Sequence, residues 1–135
     1  MIDFNDYIGI EYADDAFIKN DRGAVNCNGL ICELSDTYRE TISTMKSMLN
    51  LRSTIKGLKS FYELIEEGLE QSGDIIIFVR RTSKIYSHIG MITDKGSFIH
   101  ADTGPYGVVI DRIAKMSFFS YNYLIFREVD IHHEI

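Results

Sequence analysis

The apolar residues of this chain change their spacing midway, from a helical repeat to the short runs of a sheet, and this constrains the fold more than any other feature. From Asn26 onward Leu30, Ile31, Leu34 and Tyr38 recur at helical spacing, while Glu33, Asp36 and Arg39 fall largely elsewhere. Asn26 is suited to cap this helix, which is expected to end in the forties. A second amphipathic stretch, about 54 to 70, carries Ile55, Leu58, Phe61, Tyr62, Ile65 and Leu69 on one stripe and reads as another helix. Its lysines come early and its glutamates late, against the helix dipole, so packing has to hold it. Ser72-Gly73-Asp74 ends it.

Beyond Asp74 the segments 75–80, 87–93, 97–101, 108–113 and 121–129 are short, rich in Ile, Val, Phe and Tyr, and separated by turn signals. Asp94-Lys95-Gly96 is a hairpin loop with Gly where a positive φ is needed. Residues 103–107, Thr-Gly-Pro-Tyr-Gly, turn the third strand into the fourth. Residues 1–26 read as a short opening helix or turn followed by an irregular loop, with Asp14-Asp15 and Asn20-Asp21-Arg22-Gly23 as loop chemistry. Helices first and a strand meander after them is an α+β pattern, with N-terminal helices packed on a five- to six-stranded antiparallel sheet. No linker, repeat or low-complexity tract divides the chain, so residues 1–135 are expected to form one domain.

A chain of 135 residues, 45% hydrophobic and 25% charged, is large enough to bury a core without staples. Its net charge is −6 and its basic residues never cluster beyond Arg80-Arg81, so the basic stripe that nucleic acid requires is missing. A polybasic membrane patch is missing for the same reason. The longest apolar run, Ile75 to Val79, is strand-sized, so no membrane span is expected. The opening MIDFNDYIGIEY carries acids where a secretory signal carries Lys or Arg, so the chain is expected in the cytoplasm at synthesis.

The two cysteines, Cys27 and Cys32, are too few for a disulfide framework. On one helix they sit about 7.5 Å apart along the axis and on different faces, a poor disulfide geometry. Cys27 falls where loop becomes helix. There unpaired amides and a nearby imidazole would favour the thiolate that cysteine chemistry requires. A cysteine so placed is nevertheless more often a small buried hydrophobe. Cys32, within the helix, reads as a packing residue.

His88 opens one strand and His100 ends the next. Pairing Thr93 with Ser97 across the hairpin puts His88 opposite Asp102 and His100 opposite Gly90. Both imidazoles then lie at one end of the sheet, about one diagonal neighbour apart. This suits a base held by an orienting imidazole, although two unrelated surface histidines would give the same pattern. Cys27, His88 and His100 are also soft metal ligands, but no close-spaced ligand pair anchors a metal site. The terminal Ile131-His132-His133-Glu134-Ile135 reads as a solvated end rather than a metal tail.

Four blocks of this sequence resemble the NlpC family of papain-like cysteine peptidases, mostly cell-wall endopeptidases that cut peptidoglycan stem peptides. They are Asn26-Cys27-Asn28-Gly29-Leu30-Ile31, Gly73-Asp74-Ile75-Ile76-Ile77-Phe78, Ser87-His88-Ile89-Gly90-Met91-Ile92 and Phe98-Ile99-His100-Ala101. They stand in the family's order and cover nearly the whole chain. The resemblance implies a papain-like core with Cys27 as nucleophile, His88 as base and His100 as the third catalytic residue. It also implies an oxyanion held by the Cys27 backbone amide and by Tyr12 of Gly9-Ile10-Glu11-Tyr12, with no cofactor. Three departures stand out: Asn26 replaces the usual acid before the nucleophile, Glu11 replaces a proline, and an extra amphipathic helix separates Cys27 from His88. The long loop before Cys27 and the lack of an export signal resemble the branch found among phage tail proteins. That implies peptidoglycan and other tail proteins as partners, and delivery to the periplasm or cell wall by the particle. An idle structural subunit of a tail tip, or an amidase or acyltransferase on the same fold, are the rival functions.

Overall fold

The structure is a computed structural model, and it describes residues 2–13, 26–43, 58, 61–80, 86–102, 106–118 and 121–129. A short 3-10 helix, Phe4–Tyr7, opens the chain, and the Asp3 side chain accepts from the Asn5 amide at its start. Helix α1 (Cys27–Leu34) begins where expected, with Asn26 as its cap. The single helix expected into the forties is divided, because Ser35 is extended and α2 (Asp36–Ser43) starts anew after it. Ser35 serves both helices: its amide donates to the Ile31 carbonyl, and its hydroxyl accepts from the Tyr38 amide. The Tyr38 hydroxyl then donates to the buried Asn28 side chain at 2.7 Å, tying α2 back to the start of α1.

Six strands form one antiparallel sheet in the order β1-β6-β2-β3-β4-β5. They are β1 (Tyr62–Ile65), β2 (Ile75–Arg80), β3 (Tyr86–Asp94), β4 (Ser97–Ala101), β5 (Val108–Arg112) and β6 (Tyr121–Glu128). The unbroken run Ile75–Val79 has its explanation in this order: β2 is covered on both faces. Ile75, Ile77 and Val79 pack with Leu30, Ile31, Leu34 and Tyr38 of the helices, whereas Ile76 and Phe78 pack with Phe98, Ile113 and Ile125 on the opposite face. Ile113 belongs to a helix the sequence did not announce, α3 (Ile113–Phe118), which ends the expected 108–113 strand one residue early.

The helix expected over 54–70 is corrected in its second half. Leu58 is helical, residues 54–57 and 59–60 lie outside the described part, and 62–65 are the edge strand β1, paired along its length with Ile125–Glu128 of β6. Gly68, at φ 91°, then turns the chain. Leu58 and Tyr62 are buried while Leu69 is more than half exposed, so the stripe does not continue as one buried helical face to 69. Pairing to an unfilled sheet edge outweighs the three-and-four spacing, and the adverse charge order leaves little to resist it.

The turn that follows is pinned by an ion pair. Asp74, 3% exposed, accepts from Arg127 Nε at 2.9 Å and Nη2 at 2.8 Å, and also from the Gln71 amide at 2.8 Å. Arg127 Nη2 also donates to the Leu69 carbonyl. At the other side of the sheet the N-terminal segment lies against the start of β5, with Val108 donating to Ile10 and Gly9 to Val108. Gly107, at φ 65°, permits that approach, because a Cβ there would drive into the Ile10 carbonyl. Among the described residues no helix is long and apolar enough to cross a membrane.

Candidate active site

Cys27 is the first residue of α1, partly buried and in no disulfide. The Asn26 side chain accepts from the Gly29 amide at 2.7 Å, and its carbonyl accepts from Leu30 at 3.0 Å. Asn26 thus caps the helix without adding negative charge beside the sulfur. Helix α1 lies against β3 and β4, which brings its first residue to the end of the sheet where β3 begins and β4 ends.

His88 and His100 are at that end. Met91 pairs with Ile99 and Ile92 with Phe98, the expected register, in which His100 faces Gly90. A bulge near Thr93 pairs Asp94 rather than Thr93 with Ser97, and its effect is confined to the turn. His88 pairs with Phe78 of β2 and so shares its face of the sheet, and His100 shares the face of Phe98. Gly90 lies on this face between them. A Cβ at Gly90 would meet the Phe98 ring and the Ile99 carbonyl at 2.8 Å, so glycine leaves the space through which the imidazoles approach. His88 Nε2 lies 2.6 Å from His100 Nδ1, with the rings edge to face. The Phe98 ring, 4.5 Å from that of His100 between centroids, backs the pair.

The network continues past the expected residues. His100 Nε2 lies 2.8 Å from Asp111 Oδ2, and Lys115 Nζ donates to Asp111 Oδ1 at 3.2 Å. Asp111 pairs with Phe98 and Val109 with His100, so Asp111 is diagonal to His100 on the same face, just as His100 is diagonal to His88. Lys115 follows one helical turn later on α3. Asp111 went unread because finding it requires the β4–β5 register, and the connection at 103–107 does not fix that register in sequence. Cys27, His88, His100, Asp111, Lys115 and Tyr12 all line one cleft of about 320 Å³, together with Asp102 and Tyr121. Cys27, His88, His100 and the expected oxyanion tyrosine therefore border a common space.

Burial lowers the pKa of His88 to about 4, and His100 beside it adds to the effect. Burial also lowers that of His100, against the opposing pull of Asp111. Desolvation works to raise the Asp111 carboxyl, but hydrogen bonds from His100 and Lys115 prevail and hold it low. At neutral pH the site thus contains two neutral imidazoles and an ionised carboxylate. An acceptor-only carboxylate at Nε2 requires the His100 proton there, leaving Nδ1 bare to accept the Nε2 proton of His88. The free nitrogen of His88 is then Nδ1, a base. Cys32 provides the contrast: it is 3% exposed in the helix-side core, and burial pushes its thiol up to about 11. Among the described residues no group of three or more His, Cys, Asp or Glu side chains is arranged to hold a metal ion.

The fold of this chain is shared with solved structures. The NlpC/p60 domain of the peptidoglycan hydrolase SagA superposes with a TM-score of 0.54 at 17% identity, over 90% of each chain. A protein of Staphylococcus aureus subsp. aureus Mu50, described as similar to lipoprotein and of the NLP/P60 family, superposes with a TM-score of 0.55 at 18% identity. That match covers 89% of this chain and 37% of the staphylococcal one. No curated protein matches the sequence. The sequence family described as bacteriophage peptidoglycan hydrolase (Amidase_5) matches residues 38–132, a span that includes His88, His100 and Asp111 and begins after Cys27. On that match, and on an α+β fold shared with NlpC/p60 domains, this chain belongs to the bacteriophage peptidoglycan hydrolases.

Proposed function

We propose that the chain is a cysteine peptidase that hydrolyses amide bonds of peptidoglycan stem peptides with Cys27, His88 and His100. The observation that carries this reading is the convergence of Cys27 with the 2.6 Å His88–His100 pair on one cleft, the sulfur at a helix start and the imidazoles at a sheet end. His88 Nδ1 takes the thiol proton, and the thiolate attacks the peptide carbonyl carbon. The oxyanion is held by the Cys27 amide and the Tyr12 hydroxyl. The His88 imidazolium returns its proton to the leaving amine as the C–N bond breaks. His88 then deprotonates water, which displaces Cys27 from the thioester, while His100 holds the base in orientation throughout. Phage ancestry of the family supports a peptidase carried by the particle, on its tail, and delivered to the host cell wall.

The family's amidase designation favours a second reading, cleavage of the amide that joins the stem peptide to the glycan, by the same acyl transfer. Digestion of purified peptidoglycan, with fragments identified by mass, separates the two: cut peptides support the first and intact stems freed from glycan the second. Cys27→Ala should abolish release with the fold intact, whereas Cys32→Ala should leave it near wild type. Turnover retained in Cys27→Ala would sink the assignment. No release by wild type, with Cys27 alkylated no faster than an ordinary thiol, would mark an idle tail subunit.

A further inference from the structure

We propose that Asp111 is a positioning residue of this site: with Lys115 it fixes the tautomers of His100 and then of His88, so that the bare nitrogen of His88 faces the cleft. The inference rests on the catalytic reading above for its effect on rate, and on geometry alone for its effect on the rings.

Asp111 has two oxygens and two different donors. Oδ2 takes the His100 Nε2 proton at 2.8 Å and Oδ1 takes Lys115 Nζ at 3.2 Å. The carboxylate is 18% exposed and the His100 side chain 4%, so water competes weakly for the bond between them. With Nε2–H committed to Asp111, His100 Nδ1 accepts from His88 Nε2 at 2.6 Å, and His88 Nδ1 is left unprotonated. When His88 takes the Cys27 proton, its Nε2–H stays on His100, and the charge of Asp111 steadies the imidazolium through the intervening ring. Asp111 stays ionised and transfers no proton. Three side chains on three adjacent strands, each one diagonal from the next on one face, transmit a single choice of proton position. The other charged groups lining the cleft beside them are Asp102 and Lys115.

The pair of donors makes Asp111→Asn a pointed test, because it keeps the shape and removes one acceptor. Lys115 claims the remaining oxygen, which turns the amide NH₂ toward His100 Nε2. That nitrogen must then accept, His100 carries its proton on Nδ1, and His88 is left with Nδ1–H and no base toward the sulfur. The expected result is a kcat loss on the order of 10- to 100-fold with little change in KM. Nitrogen-15 shifts of both imidazoles should show the reversed tautomers. Asp111→Asn combined with Lys115→Met should recover part of the rate, since the amide is then free to turn its oxygen to His100. Wild-type tautomers in Asp111→Asn overturn the proposal, and so does an unchanged kcat in a variant whose tautomers have reversed. Should wild type prove inactive on peptidoglycan, the catalytic reading fails separately, and the ring-nitrogen shifts of wild type and Asp111→Asn still decide what Asp111 does.

Discussion

His88 shows how a residue's surroundings fix its chemistry. Its folded pKa of about 4 lies below the ordinary 6.5, so on acidification the unfolded chain takes up the proton first. The stability contributed by keeping this ring neutral is complete above 6.5, is lost as pH falls between 6.5 and about 4, and changes no further below that. His100, lowered by burial as well, adds in the same direction. Asp102 and Asp111 face the pair and temper the effect by favouring the charged form. Thermal melting followed across this range should show wild type losing stability steadily, with a shallower slope for His88→Gln; equal slopes would rule out His88 as the source. The same ring, neutral through most of that range, should keep the base competent well below neutral pH. Cysteines differ on the same principle. Cys27, at a helix start in the cleft, is expected to alkylate rapidly near neutral pH, whereas Cys32, buried with its thiol at about 11, should react slowly; mass mapping of a short iodoacetamide pulse distinguishes them.

Among the elements, the ends of strands carry most of the consequence. The Asp74–Arg127 pair fastens the turn before β2 to the far end of β6, and the Gly-Asp block that helped to identify the family is part of this fastening. Arg127→Ala leaves a carboxylate that is 3% exposed without its cation. The expected cost is about 3 kcal/mol, the lower end for breaking a buried pair because the guanidinium is 29% exposed. Urea denaturation of the variant measures it, and a loss too small to detect would mean that the Gln71 amide and water suffice for Asp74. At the opposite edge Gly107 lets the Ile10 segment pair with Val108 and so delivers Tyr12 to the cleft. Strand β1 shows local spacing giving way to an open sheet edge, in the stretch between Cys27 and His88.

At the scale of the molecule, one sheet separates two apolar clusters, with the helices on one face and α3 on the other. The span shared with the phage hydrolase family, residues 38–132, leaves out α1. Leu30 and Ile31 are fully buried and Leu34 nearly so, which makes α1 a wall of the core as well as the support of Cys27. A chain truncated to 38–132 should therefore lack cooperative melting as well as activity, by circular dichroism and calorimetry; a folded product would show that the sheet carries its own core. By itself the sequence determined that helices precede an antiparallel sheet, where five of the strands lie, that Asn26 caps the helix of Cys27, and which register sets His100 against Gly90. Each is written in neighbouring residues, as period, cap or tight turn. Strand β1, helix α3, the Asp74–Arg127 clamp and the place of Asp111 were decided only by tertiary structure. They depend on which strand edge is left open and on pairings across long connections, and no local preference encodes either.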